Sequence, residues 1–525
     1  MQRKGTFKER SEDEEIKEAG FFLDFDEIAR KGVMSKEETS IAKWYGFYAS
    51  RHPGNYMARV VIPGGVITSA QARCIATTAY KYAQGNINVT TRQALQLHWL
   101  KIGHLADMMR ELQKSNLTTF HGCGDVTRIV TACSLAETCK FARFDVRKYA
   151  IKTQKYLGGF RDLDDLPRKF KITYSGCETG CAQPYINCVG AIAQVTKING
   201  EDTFGFKIVI GGGMGWKPFV AQELFSFVPE EQMLEVARAI AILFREHGDR
   251  FNRAKSRLKF VVDRLGISEC REIVIKNLLA ENKQTDNLLV NPIIETGIPF
   301  PKRIVESEFI APDGTYTIGV KIPKGELNYK QLNALAELSE EFGNQRLYTT
   351  NRQNIELKGV EPKNTSILRE KIREIGYEPD EFFTIKDVVT CVGLTYCPKA
   401  VSETRSLFDK IQPIINKQEY SSIKENVLIN ITGCPNSCSQ YRITDIGFRG
   451  MRIREEIGSV EGYEMLIGGT QTSFGQKFGD FKETDCVEIL DIVLDHYLKI
   501  KTQEESLAET VQRVGLESFK KAVGI

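Results

Sequence analysis

The chain repeats itself, and that constrains its fold more than any single motif. The run I-P-G-G-V-I-T from Ile62 returns as I-P-K-G-E-L-N from Ile322, and T-T-R-Q-A-L-Q-L from Thr90 returns as T-N-R-Q-N-I-E-L from Thr350, both at one offset. Further on, V-T-A-C-S-L-A-E-T-C from Val130 parallels V-V-T-C-V-G-L-T-Y-C from Val388, and T-Y-S-G-C-E-T-G-C from Thr173 parallels N-I-T-G-C-P-N-S-C from Asn430. F-K-I-V-I-G-G-G from Phe206 likewise matches Y-E-M-L-I-G-G from Tyr463. Self-similarity at a fixed spacing predicts two copies of one structural unit.

Each unit reads as a small α/β part followed by a larger cysteine-bearing part. In the first copy, Y-M-A-R-V-V-I-P-G-G from Tyr56 predicts a strand stopped at Pro63. Ser69 to Gln84 has helical character and Asn88 to Leu100 alternates as a strand. Strand, helix, strand is half of a ferredoxin-like layer. A long basic amphipathic helix is expected from about Pro229 to Arg264, and a shorter one, Cys486 to Ile500, closes the second copy. The fold class is therefore α+β, internally duplicated. An N-terminal arm (1–42) precedes a half-domain (43–118), a cysteine-bearing α/β domain (119–295), a second half-domain (302–380) and a second cysteine-bearing domain (381–525). I-P-F-P at Ile298 to Pro301 is the expected linker.

Composition bounds the function. At 42% hydrophobic and 26% charged the chain has ordinary globular make-up, and a net charge of +3 over 525 residues makes no electrostatic case for nucleic acid or an anionic membrane as partner. The start has no apolar h-region and no run is long enough for a membrane helix, so a cytoplasmic protein is expected. Thirteen cysteines in a reduced compartment favour metal or redox use over cross-linking.

The cysteines are paired. Cys391 and Cys397, then Cys434 and Cys438, supply four thiols suited to a [4Fe-4S] cube. Structural zinc ordinarily closes on tighter spacing with histidine nearby, disulfides need an oxidising compartment, and inert buried thiols explain the pairing poorly. Cys74, Cys123, Cys188, Cys270 and Cys486 are assigned to that inert class. The glycines of G-G-G-M-G-W from Gly211 fail the dinucleotide fingerprint, because Trp216 stands where the third glycine belongs, and are read as a tight strand-to-helix turn.

From about Lys43 to Ile500 these motifs, with N-R-A-K-S-R-L-K-F at Asn252, resemble the sirohaem and [4Fe-4S] nitrite and sulfite reductases. The resemblance implies ferredoxin-like half-domains paired about a pseudo-twofold, with two sirohaem/4Fe-4S-type domains. It implies that Cys391, Cys397, Cys434 and Cys438 ligate the cluster and that Cys438 also bridges to the sirohaem iron. It places the substrate oxyanion, sulfite or nitrite, among Arg59, Arg128, Lys169 and Lys171. The sirohaem carboxylates would be met by Arg92, with Thr90, Gln96 and His98 on the same strand, and by Arg168. Electrons would come from an external ferredoxin or flavoprotein, since no flavin or nicotinamide fingerprint is present.

The chemistry supports such roles. Six-electron reduction of sulfite to sulfide needs a held anion, repeated protons and single electrons, and fixed cations and acids answer the first two needs. Lys169 and Lys171, one residue apart on an extended segment, project from one face. An asparagine tends to replace the second lysine in nitrite reducers of the family, so Lys171 points to sulfite, with ferredoxin-nitrite reductase as the alternative. A non-catalytic iron-sulfur electron carrier is the rival of another class, and four converging cations argue against it.

Cys133, Cys139, Cys177 and Cys181 give the first copy a full ligand set too, a departure from the familiar members. The mirrored bases are mostly gone: Gly319 stands opposite Arg59, Asn426 and Leu428 opposite Lys169 and Lys171, and Lys386 opposite Arg128. A relay cluster, a structural second sirohaem site or a relic would each fit; a second bound cluster without anion chemistry is the expectation.

Overall fold

The computed structural model describes residues 11–18, 20–198, 200–286, 288 and 309–525. The expected linker at Ile298 to Pro301 lies outside them. In the arm, α1 (Glu12–Glu18), α2 (Phe25–Lys31) and α3 (Lys36–Ile41) lead into β1 (Phe47–Ala49) and β2 (Asn55–Val60). Then come β3 (Val66–Thr68), α4 (Ser69–Tyr82), β4 (Asn86–Val89), β5 (Leu95–Lys101) and α5 (Leu105–Gln113). The stretch Asn88 to Leu100, expected as one strand, is thus two antiparallel strands around a turn at 90–94. Gln93 sits there at φ 54°, and with no glycine or proline to mark it the turn hides inside the alternation.

The first cysteine-bearing domain comprises β6 (Thr131–Ala132), α6 (Arg147–Gly158), β7 (Ile172–Ser175), β8 (Val189–Ile198), β9 (Glu201–Ile210), β10 (Gln222–Pro229), α7 (Met233–His247), α8 (Leu258–Leu265) and α9 (Ile267–Ala280). The single helix expected over 229–264 is two, α7 and α8. Gly248 ends the first, pressed so close to Pro167 that a Cβ there would lie 2.5 Å from the ring. The Gly211 turn joins strand to strand, β9 to β10, not strand to helix.

The second copy repeats the order. Its half-domain contains β11 (Phe309–Ile310), β12 (Tyr316–Lys321), β13 (Glu326–Asn328), α10 (Tyr329–Phe342), β14 (Arg346–Thr349), β15 (Ile355–Val360), α11 (Thr365–Glu374) and β16 (Glu378–Pro379). Its cysteine-bearing domain contains β17 (Val389–Thr390), α12 (Gly393–Tyr396), α13 (Thr404–Ile415), β18 (Ile429–Thr432), β19 (Ile446–Arg454), β20 (Ser459–Ile467), β21 (Gln476–Lys482) and α14 (Cys486–Ile500). The helix Cys486 to Ile500 forms as expected but does not close the copy; α15 (Leu507–Val514) and α16 (Leu516–Val523) follow it.

The half-domains are interlocked. The sheet β1-β2-β5-β4 is completed by β13, and the sheet β11-β12-β15-β14 by β3, so each half lends the other its edge strand. Leu327 pairs with Ile87 and Leu347 with Ile67, antiparallel in both cases. This covers edges that would otherwise expose unpaired backbone. One apolar core runs through both halves, with Ile67 and Leu97 of the first packed in the same cluster as Leu327 and Leu357 of the second. Helices α4 and α10 lie against each other. Each opens with a capping box, Thr68 with Gln71 and Asn328 with Gln331, which satisfies donors at the helix start.

In each cysteine-bearing domain a five-stranded sheet runs β6-β7-β8-β9-β10 or β17-β18-β19-β20-β21, parallel over its first three strands and antiparallel beyond. The chain leaves the parallel strands at their C-terminal ends, where crevices open in sheets of this kind. Among the described residues no helix is long and apolar enough to cross a membrane.

Candidate active site

Cys391 directly follows β17 and Cys434 lies just past the end of the neighbouring parallel strand β18, so sheet geometry alone brings the two cysteine pairs together. The Cys391 N–H donates to Ile431 O (3.1 Å) and the Cys397 N–H to Gly393 O (3.0 Å). Gly433 N–H donates to Cys391 Sγ (3.1 Å). No disulfide forms. Burial pushes the Cys391 thiol up to about 11, and the Cys438 and Cys434 thiols add to it, so these groups feel one another's charge. Among the described residues no three His, Cys, Asp or Glu close on a point as one metal ion requires.

The first copy repeats the two backbone bonds of this scaffold. The Cys133 N–H donates to Tyr174 O (2.8 Å) and the Cys139 N–H to Leu135 O (2.8 Å). Burial pushes Cys133 up to about 12, with Cys177 and Cys139 adding to it; Cys181 is raised well above the ordinary thiol range, by burial first and then by Cys133, Cys177 and Cys139.

The T-T-R-Q turn is the junction between the parts. The Thr90 hydroxyl accepts from the Arg92 and Ala94 N–H groups (3.2 Å each) and so shapes the turn. Thr91 Oγ1 donates to the carbonyl of Cys438 in the second copy (2.9 Å). Arg92 reaches Asn187 Oδ1 (2.9 Å) and Ile129 O (2.5 Å). Gln93 Nε2 spans Ala132 O (2.9 Å) and Thr349 O (3.0 Å). Thr90 and Arg92 therefore sit on the turn and only Gln96 and His98 on β5, so the four do not share a strand.

Around Cys438 the first copy gathers cations. Arg59 donates to Gly122 O (3.0 Å) and Cys123 Sγ (3.3 Å), and Arg128 to Gly124 O (2.8 Å) and Gly122 O (3.1 Å). Phe170 is held by the backbone of Val126 and Arg128 and turns into the core, which puts its neighbours Lys169 and Lys171 on the other face. Burial lowers both lysines well below their usual value; Arg257, Arg168 and Arg128 push Lys169 further down, and Arg92, Lys169 and Arg257 do so for Lys171. Burial, partly offset by Cys188 and reinforced by Arg128, Arg59 and Arg257, brings even Arg92 to about 9. No carboxylate pairs with Lys169 or Lys171 among the described residues. Arg168 differs: it donates to Asp125 Oδ1 (3.2 Å), a buried carboxylate also shared by Lys17 (3.8 Å) and Arg253 (2.5 Å).

The donor set fits a polyanionic tetrapyrrole. Nε of Arg59, Arg92 and Arg257 and both ring nitrogens of His98 are buried without a hydrogen-bond partner, and buried polar groups of this kind call for one. His98 stacks on Tyr396 (centroids 4.0 Å apart), between the cysteines of the first pair. Burial, with Arg405 and Arg59 adding, lowers its pKa to about 3, so it is neutral. Gln96 Nε2 reaches Met57 Sδ (3.4 Å).

Residues 123–282 and 384–525 match the family "Nitrite and sulphite reductase 4Fe-4S domain", and residues 48–115 and 310–375 the "Nitrite/Sulfite reductase ferredoxin-like half domain". The chain belongs to the nitrite and sulphite reductase family. The structure of the Mycobacterium tuberculosis NirA protein aligns with a TM-score of 0.87 at 26% identity, covering 97% of this chain and 98% of that one. A sulfite reductase [ferredoxin] of Mycobacterium tuberculosis is 28% identical over 95% of this chain and 94% of its own length. The chloroplastic ferredoxin–nitrite reductase of Spinacia oleracea is 29% identical over 89% of this chain and 79% of its own. This member of the family is an oxidoreductase with a duplicated α+β fold.

The reductase's site also uses groups that the sequence left unassigned. Arg257, inside N-R-A-K-S-R-L-K-F, donates to Cys188 Sγ (3.6 Å). Cys188 and Cys123 are buried as expected, but each also meets an arginine, Cys188 at the edge of an apolar cluster. Burial alone would raise the Cys188 thiol; Arg257 and Lys171 together outweigh it and lower it. Cys74 is only half-buried, and Cys270 and Cys486 are fully buried. Membership of a basic motif drew attention to the stretch around Arg257 but did not say which of its residues turns inward.

The mirrored positions have been neutralised. The space a side chain at Gly319 would enter is taken by the Phe382 ring. Arg352, counterpart of Arg92, is tied to Asp387 Oδ2 (2.5 Å). Lys386 is paired with Glu381 (3.0 Å).

Proposed function

We propose that the protein reduces sulfite to sulfide by six electrons, at a sirohaem coupled to a [4Fe-4S] cluster. Cys391, Cys397, Cys434 and Cys438 would hold the cluster, with Cys438 shared with the sirohaem iron. The two groups would supply single-electron transfer and an open iron face for the anion. The observation that carries the reading is the pair Lys169 and Lys171, half-buried among arginines with no acid paired to them among the described residues, Lys169 lying within the field of Cys438.

The side chains divide the work. Arg59 and Arg128, their forks fixed on backbone carbonyls, orient the anion. Lys169 and Lys171, with lowered affinity for their protons, both attract it and give up protons as oxygens leave as water. Arg92 faces the sirohaem carboxylates, with Gln96 and His98 lining that wall; Thr90 holds the turn that presents Arg92. Arg168 adds charge that Asp125 partly balances. A ferredoxin or flavoprotein supplies electrons, and the setting is the cytoplasm; the donor reading rests on the ferredoxin-named relatives.

Nitrite is the second reading, favoured by relatives named for that substrate. Anaerobic purification, optical spectra and turnover with reduced donor on sulfite and nitrite side by side test both. Lys171→Asn should lower sulfite turnover and relatively spare nitrite turnover. Equal losses on the two anions would remove the role given to Lys171.

A further inference from the structure

We infer that Cys133, Cys139, Cys177 and Cys181 hold a second [4Fe-4S] cluster with no tetrapyrrole beside it, an electron store for the catalytic centre rather than a second reaction site. This rests on the proposed reductase function and adds a cofactor site and a route to it.

Three observations carry it. First, the loops of the two cysteine sets share one hydrogen-bond pattern. The Arg143 N–H donates to Gly176 O (2.8 Å) as the Val401 N–H does to Gly433 O (2.9 Å), and the Gln183 N–H to Gly180 O (2.7 Å) as the Gln440 N–H to Ser437 O (3.2 Å). Asn351 donates to the Cys181 carbonyl (2.6 Å) just as Thr91 does to that of Cys438. A backbone kept to this detail around four thiols that are not cross-linked is a ligand cage.

Second, the face that is open at Cys438 is partly covered at Cys181. Cys438 is exposed, whereas Cys181 packs with Cys133, Phe141, Phe382 and Phe383 against Leu135, Cys139 and Phe309. Phe382 fills the place opposite Arg59, and Arg352 is spent on Asp387. Position 358, opposite His98, holds a buried lysine that donates to the Ser134 carbonyl and lies 3.5 Å from Glu356. Among the described residues the cations at these mirrored positions are each paired with an acid, and the Phe382 ring takes the space beside Gly319, which argues against a macrocycle or an oxyanion there. An apolar cover of this kind limits solvent access to a cluster without altering its ligands.

Third, the two cages are wired together. Cys181 and Cys438 are each followed two residues later by a buried glutamine in the left-handed region, Gln183 at φ 61° and Gln440 at φ 52°. Gln183 Nε2 donates to Gln440 Oε1 (3.1 Å), so a short bonded path with one hydrogen bond joins the last ligand of each set. One electron from the external low-potential donor reduces the store, and one electron passed to the catalytic cluster restores it; no bond is made or broken.

Iron and labile-sulfide analysis of the anaerobically reconstituted holoenzyme should find about eight cluster irons and eight sulfides per chain besides one sirohaem iron. About four of each, or about two sirohaems per chain, would overturn the inference. Reductive titration should take about three electrons per chain rather than two. The double variant Cys177→Ala with Cys181→Ala should lose about four irons and one of two reduced-cluster paramagnetic signals, while the sirohaem absorption stays. Retention of both signals would equally refute it. The wild-type count decides the matter even where the variant does not fold. A preparation with the full iron count but no turnover on sulfite or nitrite would instead remove the reductase reading alone.

Discussion

The two copies keep the same strands, the same turns and the same four thiols, yet surround them with opposite electrostatics. Beside Cys438, arginines and lysines of the first copy crowd together with their charges largely unbalanced. Beside Cys181, each surviving cation of the second copy has an acid: Arg352 with Asp387, Lys386 with Glu381, Lys358 with Glu356. Duplication preserved the scaffold, and the charges decide which copy can receive an anion. An excess of crowded positive charge costs stability, which proton loss from the lysines or a bound anion relieves.

The largest effect expected of this contrast is on turnover. Cys434→Ser should abolish sulfide production by about 10⁴-fold or more, the scale of losing an essential catalytic group. Cys177→Ser should leave it measurable; equal losses would break the asymmetry. Next in size are the buried acids. Asp387→Ala leaves Arg352 buried and unpaired and should cost about 3–5 kcal/mol in denaturant unfolding. Asp125→Asn strips the shared partner of Lys17, Arg168 and Arg253 and should cost about as much. Burial would raise the Asp125 carboxyl, but the charges of Arg253, Arg168 and Lys17 outweigh it and hold it below its ordinary 3.8. Its stabilisation is therefore complete above pH 3.8 and fades as pH falls through the lower folded value. Wild type and Asp125→Asn should converge only in that acid range, and a gap that closes near neutrality would contradict the pairing.

Lys169→Met should lower kcat/KM for sulfite by about 10²–10³-fold, the worth of one preorganised charge in a dry site. The mirrored Asn426→Lys should create no second activity. The smallest effect tests where the copies are alike. Gly65 and Gly325 both have positive φ, and a Cβ would lie 2.6 Å from Thr349 O and 2.5 Å from Val89 O respectively. Gly65→Ala and Gly325→Ala should each cost about 1–3 kcal/mol, read as equal losses of thermal midpoint. Unequal losses would show that the two strand exchanges carry different shares of the interlock.

Much of this was legible in the chain. Repeated motifs revealed the duplication, and the strand at Tyr56, the helix at Ser69 and the helix at Cys486 formed close to where periodicity put them. The exchanged strands β3 and β13 were not legible, because three residues are too few to show a period and their partners lie in the other copy. The turn at Thr90 to Ala94 was missed because it continues the alternation on either side. Arg257 was passed over since nothing in a basic helix-like run says which residue turns inward.

What the sequence determined by itself was the inventory: two copies, two sets of four cysteines, and the full set of anion-facing basic residues in one copy only. Thiol spacing follows from chain connectivity and strand order, so it can be read linearly. Whether a cation is available cannot, since that depends on which acid or ring lies within a few ångströms in space. Only the folded arrangement put Asp387 on Arg352 and Phe382 over Gly319, and left Lys169 and Lys171 without a paired acid among the described residues.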